Sequence, residues 1–200
     1  DEAVSEWERT MRSTVIHEVK HIVSYAERFS RNATVFEETW LEESTARLAE
    51  ELWARSYFGY AQNGNTRYRA SLYCEVRPSW PECENPPYVM MKSFDAIYAY
   101  MRGTNQLSPI GRVHDDDWTF YGTGWFLVRW AIDHFASDEA AFVRALIQDP
   151  NRAGVANLTA RTGTSFAELL GPWSLSLFWD QPTAPRLGHP SWDVHDVFAG

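Results

Sequence analysis

Apolar residues recur at helical spacing from the start of the chain. Val4, Trp7, Met11, Val15, Ile22 and Ala26 fall near a helical period and predict a first helix over about Glu2–Phe29. "RNAT" breaks that pattern. Thr34 followed by Glu37 has the spacing of a capping box, which predicts a second helix through "FEETWLEESTARLAEELWARSYF", with Trp40, Leu41, Leu48, Leu52 and Trp53 on its apolar side. The stretch 60–90 is dominated by turn signals, at Asn63-Gly64 and Pro86-Pro87. Helical patterns resume in "MKSFDAIYAYMRG", ended by Gly103, and in a segment from near Asp117 through "WTFYGTGWFLVRWAIDHFA". Ser137 is placed to cap "DEAAFVRALIQ", and Ser165 with Glu168 to cap "FAELLG". "WSLSLFWD" closes the regular structure, and the tail from Pro182 has little helical pattern. Strand signals are few. The expected fold is mainly α, an orthogonal helical bundle joined by short links rather than a coiled coil.

Composition narrows the possibilities. The 200 residues are 44% hydrophobic and 15% aromatic, with ten Trp, nine Tyr and eleven Phe, enough to pack a single domain over residues 1–200. A net charge of −9 excludes nucleic acid or an anionic membrane as the main partner. No apolar run reaches the roughly 18 residues that would insert into a bilayer, and no signal peptide is read. The two cysteines, Cys74 and Cys83, bracket a short proline-bearing loop in "CEVRPSWPEC". Loop length favours a Cys74–Cys83 disulfide over two free thiols, worth about 2–3 kcal/mol and implying an oxidising, extracytoplasmic compartment. The cysteine spacing is too wide for a metal knuckle.

The chemistry enters with "TVIHEVKHIVSYAERF". His17 and His21 are four residues apart, so on a helix both imidazoles share one face and can meet one metal ion. Glu18 lies about 100° round from His17, near enough to hold a water without ligating. A catalytic zinc needs a third protein ligand and an open position. Glu43, in "TWLEESTARLAEEL", is available if the second helix folds back across the first. Glu42 is the adjacent competitor. It points about 100° away from Glu43 on an ideal helix, and is read as lying at the cleft rim or merely solvated.

At this point the chain resembles a known family. HExxH followed on the next helix by "WLEES" (Trp40, Leu41, Glu43 and the small Ser44) is similar to the gluzincin metallopeptidases and their "WLNEG"-like motif, in which the slot of Glu42 is usually Asn. The spacing looks closer to hyicolysin-type secreted bacterial peptidases than to aminopeptidase N-type members. The resemblance covers residues 14–55 firmly and 117–180 loosely. It implies a fold like the helical, C-terminal half of a thermolysin-like catalytic domain, Zn2+ held by His17, His21 and Glu43, and Glu18 as general base. Tyr121, before the Gly-x-Gly of "DDDWTFYGTGWFLVRW", is similar to the tyrosine that stabilises the oxyanion in aminopeptidase-like members. His114 is the alternative donor. Family members usually carry a small β-sheet ahead of the zinc helix, and this chain is expected to lack it.

Other candidates read as structural. The Asp115–Asp117 run lacks calcium-loop spacing and reads as a helix N-terminal charge cluster. His134 sits in an apolar helix as a core or boundary histidine, and nothing supports a role for His189 or His195. Spacing does not assign a carboxylate behind the zinc histidines, Glu50 and Asp95 being unresolved candidates. The Asn32 and Asn157 glycosylation patterns read as coincidental.

The expected function is zinc-dependent hydrolysis of a peptide or protein substrate, as an endopeptidase, since no GxMEN-like exopeptidase signature is present. The rival is a non-catalytic helical binding or scaffold module that keeps the site. Oligomeric state is not legible.

Overall fold

The computed structural model describes residues 2–62, 88–181 and 184–199. Cys74, Cys83 and the turns expected at Asn63-Gly64 and Pro86-Pro87 lie outside the described residues. Those residues form eight helices and no strand: α1 Glu2–Ser30, α2 Thr39–Phe58, α3 Tyr88–Arg102, α4 Thr119–Phe135, α5 Glu139–Gln148, α6 Gly154–Thr162, α7 Phe166–Trp179 and α8 Val194–Ala199. No helix among the described residues is long and apolar enough to cross a membrane.

The bundle is organised around α4. Its residues from Gly122 to Ile132 are all buried, as expected of a helix that is apolar on every side. It packs chiefly on α2 and α3. The Gly-x-Gly read from the sequence explains how closely it does so. A Cβ on Gly122 would collide with the backbone of Ser93 in α3, and one on Gly124 would strike Ser44 of α2. Trp125, Phe126, Trp130, Trp173 and Trp192 fill the space between, each fully buried. Inside this apolar mass lies Glu51, with no exposure. It accepts hydrogen bonds from the indoles of Trp125 (2.7 Å) and Trp192 (2.9 Å) and pairs with Arg55 (2.9 Å), so the buried charge is compensated.

α1 packs the other way round. Apolar positions whose period predicts the helix face solvent: Trp7 is 63% exposed, Val15 52% and Ile22 68%. The buried stripe is polar, formed by Ser13, His17, Lys20, His21, Ser24 and Arg28 at three- and four-residue steps. The period predicts the helix, and the partner charges on α2 choose the face.

Three local expectations are corrected. The Thr34–Glu37 capping box does not form, and α2 begins at Thr39 with Glu38 as N-cap and no side-chain cap. Glu37 instead takes hydrogen bonds from Arg28 (2.6 Å), the Gly154 amide (2.5 Å) and Asn157 (2.8 Å). A buried guanidinium demands a counter-charge more strongly than a helix end demands a cap. Burial raises the pKa of Glu37 in spite of these bonds. Asp138, not Ser137, caps α5, accepting from the Ala141 amide. The Ser165–Glu168 capping box forms as expected, but the helix it starts runs through Pro172 to Trp179.

The sequence pattern also misses α6 and the packing of the tail. Asp180 accepts from the His189 and Val194 amides, which draws Trp192, Val194 and Val197 into the core. His189 is wholly buried, stacked on Phe126 and hydrogen-bonded to Ser176 Oγ at 2.8 Å. Burial, with His134 nearby, pushes its pKa down to about 3, so it is a neutral packing residue. Asn157 is buried too, which keeps it from glycosylation.

Candidate metal centre

α1 and α2 meet along the polar stripe of α1. His17 and His21 stand one turn apart with their rings 4.8 Å between centroids and nearly perpendicular. Both turn Nε2 toward Glu43 of α2: His17 Nε2 lies 3.1 Å from Oε2 and His21 Nε2 lies 3.8 Å from Oε1. Ligand atoms of the three residues all lie within 4.8 Å of one another. Among the described residues this is the one His, Cys, Asp and Glu group so arranged.

What stands behind the histidines makes the group specific. His17 Nδ1 donates to Glu50 Oε1 at 2.7 Å, and His21 Nδ1 donates to Glu42 Oε1 at 2.8 Å. A carboxylate on each Nδ1 fixes the tautomer that leaves Nε2 free and raises its basicity. Each carboxylate is held in turn. Glu50 accepts from Ser13 Oγ at 2.5 Å and Arg47 at 3.0 Å. Glu42 accepts from Lys20 Nζ at 2.8 Å, and the same ammonium reaches the Glu42 main-chain oxygen at 2.9 Å.

The electrostatics describe a charge pair between His17 and Glu43. Burial opposes charge on His17, but hydrogen bonds to Glu43 and Glu50 outweigh it and push its pKa up to about 9. Burial also opposes charge on Glu43, and the hydrogen bond from His17 with the nearby His21 brings its pKa below the usual carboxylate value. Without metal, therefore, a proton on His17 neutralises Glu43 at neutral pH. Two imidazole nitrogens and one carboxylate are a donor set suited to Zn2+, which would take the place of that proton. The residues present fit the ion.

An open cleft of about 260 Å3 adjoins the group, lined by His21, Tyr25, Glu37, Thr39, Glu42 and Glu43. Glu18 is exposed and has no partner among the described residues. Tyr121 is half-buried in the first turn of α4, its ring against Phe120, and does not line the cleft. One turn beyond it, Gly124 abuts Ser44, the residue after Glu43. His114 is exposed in the loop before α4. Asp117 belongs to the fold, as its carboxylate takes the Thr119 amide (2.9 Å), the Thr119 hydroxyl (2.6 Å) and the Val113 amide (3.1 Å). Burial opposes its charge, and those bonds nonetheless hold its pKa low. His134 donates to the Gly188 carbonyl, as a boundary histidine should.

Sequence reasoning places the two histidines and Glu43 together. Glu42, read as lying at the cleft rim or merely solvated, does line the cleft, but it is buried rather than solvated and it holds His21. Glu50 was readable as seven residues, two turns, beyond Glu43, which puts both on one face of α2. Searches for a matching family model, curated protein or solved structure gave none.

Proposed function

We propose that the protein is a zinc-dependent peptide hydrolase of gluzincin type, an endopeptidase acting on peptides or proteins outside the cytoplasm, with a bundle related to the helical half of thermolysin-like catalytic domains. One observation carries the reading: two histidines, each backed by a carboxylate on Nδ1, direct both Nε2 atoms at one glutamate beside an open cleft. His17, His21 and Glu43 would hold the ion, which supplies Lewis acidity toward a carbonyl and toward water. Glu18, next to His17 and uncommitted to any described partner, accepts the proton of the attacking water and returns it to the leaving amine. Tyr121 is the proposed donor to the developing oxyanion. It sits one turn before Gly124, which abuts Ser44 beside Glu43, and outside the cleft lining.

The test begins with metal analysis. One zinc per chain, lost on chelation and in His21→Ala, is expected. Glu18→Gln should keep the zinc and lose about 10²–10⁴-fold in peptide cleavage. Cleavage that survives this change with zinc bound overturns the mechanism.

The exposure of Glu18 and the absence of Tyr121 from the cleft lining favour a second reading, a helical binding module that retains the site without using it. Zinc binding without cleavage of any unfolded protein substrate would select that reading.

A further inference from the structure

The sequence leaves two adjacent glutamates, Glu42 and Glu43, competing for one ligand position. The structure contains a residue that separates them. Lys20 lies between the two histidines on α1 and is 7% exposed, a costly place for an ammonium. Its Nζ clasps Glu42 twice, at Oε1 (2.8 Å) and at the main-chain oxygen (2.9 Å). The same Oε1 receives His21 Nδ1. Glu43 receives no such clasp, and its oxygens face the two Nε2 atoms.

Resting on the metal-site reading, we infer that Lys20 is a positioning residue that withdraws Glu42 from the ligand set and holds it behind His21, leaving Glu43 as the third ligand. The two halves of the seam show why a cation is needed there. Glu50, behind His17, is anchored by Ser13 across the seam and by Arg47 from its own helix. Among the described residues, Glu42 has, beside His21, Lys20 as its one lysine or arginine anchor. Without it, a second carboxylate one residue from Glu43 is free to swing toward the ion. Lysine suits the task because a compact ammonium reaches a side-chain oxygen and a main-chain oxygen of one residue together.

The experiment measures zinc affinity by chelator competition and the visible spectrum of the Co2+-loaded protein. It compares the wild-type chain with Lys20→Met, Glu42→Gln and the double variant. Lys20→Met is expected to weaken zinc about 10–100-fold and to alter the cobalt spectrum. The double variant should be no weaker than Glu42→Gln alone, because both changes release one pair. Circular dichroism tests folding, and if Lys20→Met does not fold, Glu42→Gln opens the same pair from the other side. An unchanged affinity and spectrum in the folded variants overturns the role of Lys20 while leaving the site intact. Failure of the wild-type chain to bind zinc or cobalt at micromolar concentration overturns both.

Discussion

The two faces of α2 are packed by opposite rules. Toward α4 it presents Trp40, Leu41, Leu48 and Ala54 to an aromatic core, while toward α1 it presents Glu42, Glu43 and Glu50 to a row of histidine, lysine and serine. The first face is held by removal of apolar surface from water, which is non-directional and tolerant of pH. The second is held by charge pairs whose geometry must be right, because a buried charge without its partner is destabilising by several kcal/mol. A stable core therefore carries a seam whose cohesion depends on protons and ions.

The largest effect belongs to the core. Trp125→Ala should cost about 3–5 kcal/mol in equilibrium unfolding, from the cavity and the lost indole bond to Glu51. That loss should be the same with and without zinc. A zinc-dependent loss would break the separation between the two faces.

Protons give the next effect, on the seam. The pKa of His17 is raised from 6.5 to about 9, so its contribution is complete below 6.5 and disappears as pH rises through 9. The Glu43 pKa is lowered, so its contribution is complete above the ordinary carboxylate value of 4.5 and fails in acid below it. The two windows overlap between 4.5 and 6.5, where the metal-free protein should be most cohesive along the seam. On the alkaline side it should lose about 3 kcal/mol by pH 9–10, an order-of-magnitude value, measured by denaturant titration in chelator. His17→Gln should flatten that slope. Zinc should reverse it, because the ion competes with the proton and binds better as pH rises.

Smallest is the effect of Glu18→Gln on stability, expected within about 0.5 kcal/mol because the side chain is exposed and unpaired among the described residues. A larger change would mean that Glu18 is committed to the seam.

What was legible in the sequence divides along the same line. Helix-forming periods, the Ser165 cap and the four-residue histidine spacing are local, and the structure contains them. The inward face of α1 was hidden because its apolar stripe is the stronger signal, and only the acids of α2 reverse it. Glu37 was hidden in a plausible cap because its partner Arg28 precedes it on another helix, and Gly154 and Asn157 lie far downstream. The role of Glu42 is not legible because its cation, Lys20, lies 22 residues upstream on another helix, beyond any local pattern. α6 and the tail are held by side-chain bonds to distant residues, which no local pattern reports.

The two hydrogen atoms of Gly124 set how closely α4 approaches α2 beside the candidate site. Gly124 of α4 lies directly against the Ser44 hydroxyl of α2, with the Pro109 carbonyl alongside, and Glu43 is the residue next to that contact. The placement of α2, and with it that of Glu43, is thus indexed against the buried central helix of the bundle. A single methyl at position 124 would act as a shim, turning the glutamate relative to the two histidines while every donor atom remained present. The arrangement of the three candidate ligands is in this sense set from outside the site, by a residue with no chemistry of its own.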